Sequence, residues 1–303
     1  MSKGRRNDQN MKRFNGFSKK KSLPTFQSLI KFEENRIEEK YKSLGIMFPN
    51  VVWNAKHIKG FKVEQFRGDN IYVWQTRKYS EINYFISYKY AVEIDQLKLL
   101  DKLSEAGDFG VQSFDFYGRK VSRDLIDSVL EINYLNTFFD FEKRRNFHVL
   151  DIGAGYGRFA NRIVEALPKV KVTCIDAIPL STSISKFYIK ELVKNGSAQV
   201  VDLSETDTIS ENSLDLAVNI HSFSEMPIEA VKFWVDLLVA KNVKYVFIVP
   251  NSSNLSLNDG TDFSYLFSAA GYKVLKSGNK FDDVEVNRFG IYPSTYFLLE
   301  RQV

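Results

Sequence analysis

Cysteine is nearly missing from this chain. Its 303 residues include one, Cys174. No disulfide can form within the chain, which excludes a cross-linked scaffold and fits a reducing compartment. Histidine is scarce as well, confined to His57, His148 and His221, so histidine chemistry has three positions to choose from. No apolar run approaches the roughly 18–20 residues of a membrane span. The first residues lack the apolar core of a signal peptide. These absences predict a cytoplasmic protein. Core material is plentiful: 44% of the residues are hydrophobic and 14% aromatic, enough for one large domain or two modest ones.

A basic surplus is also lacking once the first residues are set aside. The net charge is +5, but residues 1–21 hold eight Lys/Arg against one acid, Asp8. The remainder carries 34 basic and 36 acidic residues, a net of −2. No dedicated nucleic-acid surface is expected on the fold. Residues 1–22 read as a basic, disordered tail; the alternative to a solvated leader is weak contact with an anionic surface, lipid or RNA.

What is present centres on residues 148–160, HVLDIGAGYGRFA. A short apolar strand ends at Asp151, glycines follow at Gly153, Gly155 and Gly157, and a helix opens with Phe159, Ala160, Ile163 and Val164 on one face. Strand, glycine turn and helix form the nucleotide-binding start of an open α/β sheet. The spacing of Gly155, Gly157 and Ala160 also satisfies the dinucleotide pattern. Asp151 separates the two ligand classes: a carboxylate at the mouth of the turn repels a pyrophosphate, which the helix N-terminus would otherwise attract. It suits an ammonium-bearing nucleoside without phosphate, and S-adenosylmethionine is such a ligand. A second strand, Lys171 to Ile175, runs into Asp176, placed to accept ribose hydroxyls, with Ile178 just beyond. Asp202, at the end of a third strand, is read either as a partner of the adenine amino group or as a loop carboxylate.

Upstream, a charged helix is expected over Leu29 to Leu44. Residues 50–90 are rich in aromatics in short alternations, read as a small β core or a sugar-facing surface. A turn is expected at Gly68-Asp69-Asn70, followed by a strand, with Arg67, Asp69 and Trp74 as candidate substrate contacts. An amphipathic helix over 91–105, a glycine-punctuated loop and a long helix over 123–139 capped by Ser122 come next. Tyr117 and Arg119 in that loop either close over the nucleoside or merely connect. Downstream, strands are expected at 214–219, 243–249, 272–276 and 295–300. Two closing strands after the fifth βα unit fit a seven-stranded methyltransferase sheet rather than a dinucleotide fold. The division is a tail over 1–22, an N-terminal substrate or lid region over 23–140, and a donor-binding domain over 141–303.

Ligands of an open parallel sheet lie outside the carboxyl ends of its strands. The run after the fourth strand, Asn219-Ile220-His221-Ser222-Phe223-Ser224-Glu225-Met226, belongs beside the transferable methyl group. Methyl transfer to a hydroxyl needs alignment, exclusion of water and removal of a proton. His221 is read as general base, Glu225 as its orienter or a second base, and Asn219 as a positioning group. The Asn/Asp-Pro-Pro-aromatic tetrapeptide of amino-methylating nucleic-acid enzymes is absent here.

These residues resemble the sugar O-methyltransferase family of bacterial surface-polysaccharide gene clusters. The resemblance is carried by DIGAGYGRFA (151–160), IDAIPL (175–180) and above all NIHSFSEM (219–226), and reaches upstream through FRGDNIYVWQ (66–75) and YGRKVSRD (117–124). It implies an α/β fold, a Rossmann-like seven-stranded class I methyltransferase sheet with an N-terminal α+β acceptor-side region. It also implies S-adenosylmethionine as donor, S-adenosylhomocysteine as product, and a sugar hydroxyl as acceptor, on a nucleotide-linked sugar or a polysaccharide precursor. Asn251, opening the polar loop after the fifth strand, joins the candidate substrate contacts. No metal-ligand cluster stands out, although Asp259 and Asp262 leave magnesium open. Two other readings stand beside this one: an RNA-modifying methyltransferase recruited by its basic tail, and a non-catalytic subunit that retains the donor fold.

Overall fold

The structure is a computed structural model that describes residues 25–43, 45, 53–54, 56–69, 72 and 74–302. The basic tail, and Asn70 of the expected turn, lie outside the described residues. In chain order the elements are α1 (Phe26–Ser43), α2 (Glu81–Ile94), α3 (Leu99–Lys102), β1 (Ser113–Phe116), β2 (Arg119–Ser122), α4 (Arg123–Phe139), β3 (His148–Ile152), α5 (Arg158–Ala166), β4 (Lys171–Asp176) and α6 (Pro179–Leu192). There follow β5 (Ala198–Asp202), β6 (Leu216–Ile220), α7 (Ile228–Ala240), β7 (Tyr245–Val249), α8 (Ser264–Ala269), β8 (Tyr272–Asn279), α9 (Val284–Phe289) and β9 (Thr295–Arg301).

The expected seven-stranded sheet is present, in the order β5-β4-β3-β6-β7-β9-β8. Strands β3 to β7 pair in parallel, and β9 runs antiparallel to both β7 and β8. Strand order reverses between β3 and β6, which opens a crevice at their carboxyl ends. Alternation along the strands splits the core in two. Val149, Val172, Leu216 and Phe247 join the cluster that includes α4 and α5; Leu150, Ala217, Val246 and Ile248 join the one beneath α7. Both faces of the sheet are covered, so these strands read as apolar runs.

The N-terminal region departs from the sequence reading. After the expected turn, Trp74 and Gln75 have no regular structure, and Ile71 and Val73 of the expected strand lie outside the described residues. Four of the aromatics expected in a β core, Tyr84, Phe85, Tyr88 and Tyr90, belong instead to α2, where Tyr84, Tyr88 and Ala91 recur at four and three residues and are buried. A reciprocal cap between Ser80 and Asn83 starts this helix, ahead of the expected 91–105. The glycine-punctuated loop holds a hairpin, β1 paired with β2, turning at Tyr117 and Gly118, both with positive φ. That two-residue turn geometry matches the twist of the strands it joins. Ser122 caps α4 as expected, its hydroxyl accepting from the Leu125 N–H at 3.1 Å.

Candidate functional site

The glycine turn is shaped first by its own protein neighbours. Gly153, Gly155 and Gly157 all have positive φ. A Cβ on Gly153 would lie 2.0 Å from the Ser222 hydroxyl, so only glycine lets the turn after β3 meet the turn after β6. The Tyr72 ring lies over Gly155, 3.3 Å from where its Cβ would be. Between these turns opens a cleft of about 1140 Å³, solvent at its mouth included, lined by Asp151, Asp176, Ile178, His221, Glu225 and Trp53 among others. Expected donor residues and expected chemical residues thus share one cavity.

Asp176 ends β4 with its carboxylate turned into that cavity. It accepts from the Gly155 N–H at 2.9 Å and the Ile178 N–H at 2.8 Å. Burial nevertheless pushes its pKa up to about 7, outweighing those two donors. Asp151 is buried too, and burial, with Glu131 and Asp176 nearby, pushes it up to about 7 against the pull of Arg158. Arg158 itself is occupied: its guanidinium meets Glu131 of α4 in a fork at 2.9 and 3.0 Å and the Ser128 hydroxyl at 2.9 Å. Among the described residues the cavity wall is therefore acidic, and Arg158 in it is already neutralised.

His221 follows β6 with φ at 69°, a region that strains a side-chain-bearing residue. Its N–H donates to the Val249 carbonyl at 2.7 Å, tying the turn to the next strand. Its buried Nδ1 has no hydrogen-bond partner among the described residues. Burial, reinforced by Arg123, Arg158 and Lys280, drives its pKa down to about 3, so the ring is neutral. Glu225 makes no hydrogen bond to it, contrary to the expected orienting role. The Glu225 carboxylate instead accepts from Trp53 Nε1 at 3.0 Å and from Asn251 Nδ2 at 3.4 Å.

Several expected site residues sit elsewhere. Asn219 is fully buried and bonds to the Ile152 carbonyl, the Ser222 hydroxyl and the Phe223 N–H, so it braces the turn and does not line the cleft. Asp202 is buried beneath α1 and α6, paired with Lys186 and near Lys40 and Arg36, away from the cleft. Tyr117 stands 79% exposed at the hairpin tip and does not reach the cavity. Arg67 is buried as an ion-pair hub, at 2.8 Å from Glu105 and 3.1 Å from Asp124, and does not line the cleft. Asp69 accepts from the Gln75 N–H at 2.9 Å, and Trp74 is half exposed under Arg77; neither lines the cleft. Asn251 does not itself line the cleft; it is bonded to Glu225, which does, and to Asn258. Asp259 and Asp262 serve neighbouring backbone N–H groups, and no cluster of metal-ligating side chains occurs among the described residues.

Sequence reasoning missed the polar face of α4. Arg123, Asp124, Asp127, Ser128 and Glu131 are all buried. Asp127 holds Arg123 at 2.9 Å and also Lys280 from beyond β8. Burial alone would raise the Asp127 carboxyl; Lys280 and Arg123 overcome this and hold it well below the usual carboxylate range. The signal was present in the sequence as charges at three- and four-residue spacing, which ordinarily mark a solvated face. Trp53 and Tyr72, at 4.9 Å between ring centroids, both border the cleft, and Tyr72 also packs against the core.

No family model matches the chain, and neither does any curated protein. Solved structures of similar shape include the cyclase SpnF, 11% identical, spanning 72% of this chain and 95% of that one at a TM-score of 0.45. Another is the magnesium protoporphyrin IX methyltransferase of Synechocystis PCC 6803 with bound SAH, 13% identical over 64% of this chain and 91% of that one, TM-score 0.45. A tRNA methyltransferase of B. subtilis is 11% identical over 54% of this chain and 63% of that one, TM-score 0.40.

Proposed function

We propose that the chain is an S-adenosylmethionine-dependent O-methyltransferase acting on a sugar hydroxyl. The observation that carries this is the single cleft in which the glycine turn, Asp151, Asp176 and His221 meet. Asp176 would hold the ribose hydroxyls and Asp151 the ammonium end of the donor. The sulfonium supplies an activated methyl; the protein supplies alignment and a dry wall. His221 would accept the acceptor's proton at its neutral ring. A pKa near 3 makes a weak base, yet a hydroxyl oxygen that gains a methyl becomes a strongly acidic oxonium, and a neutral imidazole takes that proton readily. The resemblance at NIHSFSEM supports the sugar acceptor, and residues 23–140, through Trp53 and Tyr72, would build part of its side of the site.

The test is S-adenosylmethionine with a labelled methyl group, offered in parallel to a nucleotide-sugar and polysaccharide-precursor pool and to total RNA. Label in the sugar pool is expected. Label in RNA alone would replace the substrate class. His221→Ala should lower turnover at least roughly tenfold while donor affinity stays within about twofold; equal turnover would remove His221 from the chemistry.

A further inference from the structure

We propose that Glu225 reads the adenine of the donor, accepting a hydrogen bond from its exocyclic amino group. The inference rests on the donor reading above and assigns Glu225 to recognition, not proton transfer. Three observations carry it. Besides Asp176, the cleft is lined by Ala177, Ile178, Met226, Pro227, Ala230 and Trp234, an apolar set. A purine placed there has apolar faces to bury and a polar edge that must find a partner. The acid expected to serve that edge, Asp202, is closed off by Lys186 and by α1. Glu225, next to Met226 in the chain, lines the same cleft, near enough for its charge to act on Asp176.

The carboxylate is also held with capacity to spare. Oε2 accepts from Trp53 Nε1 at 3.0 Å, which fixes its direction. Oε1 receives only the 3.4 Å approach of Asn251 Nδ2, whose shorter bond, 3.1 Å, goes to Asn258. An ionised carboxylate accepts about four hydrogen bonds, so Oε1 can take another. Adenine presents a donor at its six position. Hypoxanthine presents a carbonyl there, which would face a carboxylate with no proton between them.

The experiment is calorimetric binding of S-adenosylhomocysteine and of its hypoxanthine counterpart, S-inosylhomocysteine, to the full chain. The wild-type protein should prefer the adenine compound by at least roughly thirtyfold. Glu225→Gln should bring the two within about threefold, since a carboxamide both accepts from an amino group and donates to a carbonyl. If the variant keeps the wild-type preference and loses turnover instead, Glu225 acts on the acceptor and the proposal falls. If neither compound binds the wild-type protein, the donor reading itself falls. Should Glu225→Gln fail to fold, Trp53→Phe takes its place: it keeps a ring and removes the N–H that aims the carboxylate. A preference reduced at least threefold would support the proposal; an unchanged one would overturn it.

Discussion

Asp151 and Asp176 carry the residue-scale argument. Both are buried, and burial lifts both to about 7, against the ordinary carboxyl near 4. Arg158, Glu131 and Asp176 face Asp151; Glu225 faces Asp176. Ionisation favours a cationic donor, so donor affinity should rise as pH rises from 6 to 8, by roughly tenfold, with protons released on binding. Titration calorimetry in two buffers of different ionisation enthalpy measures both. Without donor the sign reverses. A carboxyl raised by folding stabilises fully below its unfolded pKa, and that contribution is lost as pH climbs through about 7. Affinity that is flat across this window would show that neither carboxylate meets a cation. The positions of these two acids were legible in the sequence because strand, glycine turn and spacing fix them along the chain. The loss of Asp202 from the site was not legible, because it depends on Lys186 and on α1, a helix more than 150 residues distant in sequence.

The informative element is α4. Its cap at Ser122 and its span were readable from local signals, since a cap and a periodic apolar stripe are properties of neighbouring residues. Its charged stripe was not, because burial of charge depends on partners the sequence supplies from far away: Lys280, Arg158 and Arg67. A buried charge stripped of its partner is costly. Lys280→Met would leave Asp127 with Arg123 alone and free the Ile291 and Tyr292 carbonyls that Lys280 also meets, at 3.0 and 3.3 Å. The expected loss is about 3–5 kcal/mol, read as a lower denaturation midpoint in urea. Asp127→Asn combined with Lys280→Met should recover part of it, whereas an additive double variant would show that the two groups are not coupled. The same locality explains the misplaced helix near residue 90. Its tyrosines suit strand and helix alike, and only their contact with β1, β2 and α4 decides between them.

For the whole molecule, the sheet was the most legible feature. Parallel strands covered on both faces are continuous apolar runs, and their order follows from where the glycine turn and the closing antiparallel pair fall. No helix among the described residues is long and apolar enough to cross a membrane. Charge divides the chain: eight basic residues lie in 1–21, while the rest is nearly balanced. If the proposed function holds, a chain lacking residues 1–21 should therefore keep its methylation of sugar within about twofold of the full chain. Loss of activity on truncation would favour an acceptor recruited by the tail, RNA above all.

The backbone at His221 has a consequence for anyone who selects variants of this protein in the laboratory. A φ of 69° with ψ of −30° suits glycine and burdens histidine, by roughly 1–3 kcal/mol. His221→Gly should thus melt higher than His221→Ala, which keeps a Cβ at the strained position, by about 1 kcal/mol in unfolding free energy. A screen that rewards heat resistance and ignores turnover would favour glycine over alanine at position 221, and either change removes the proposed proton acceptor. Durability and chemistry compete at that one peptide unit, and libraries built for the first should hold position 221 fixed.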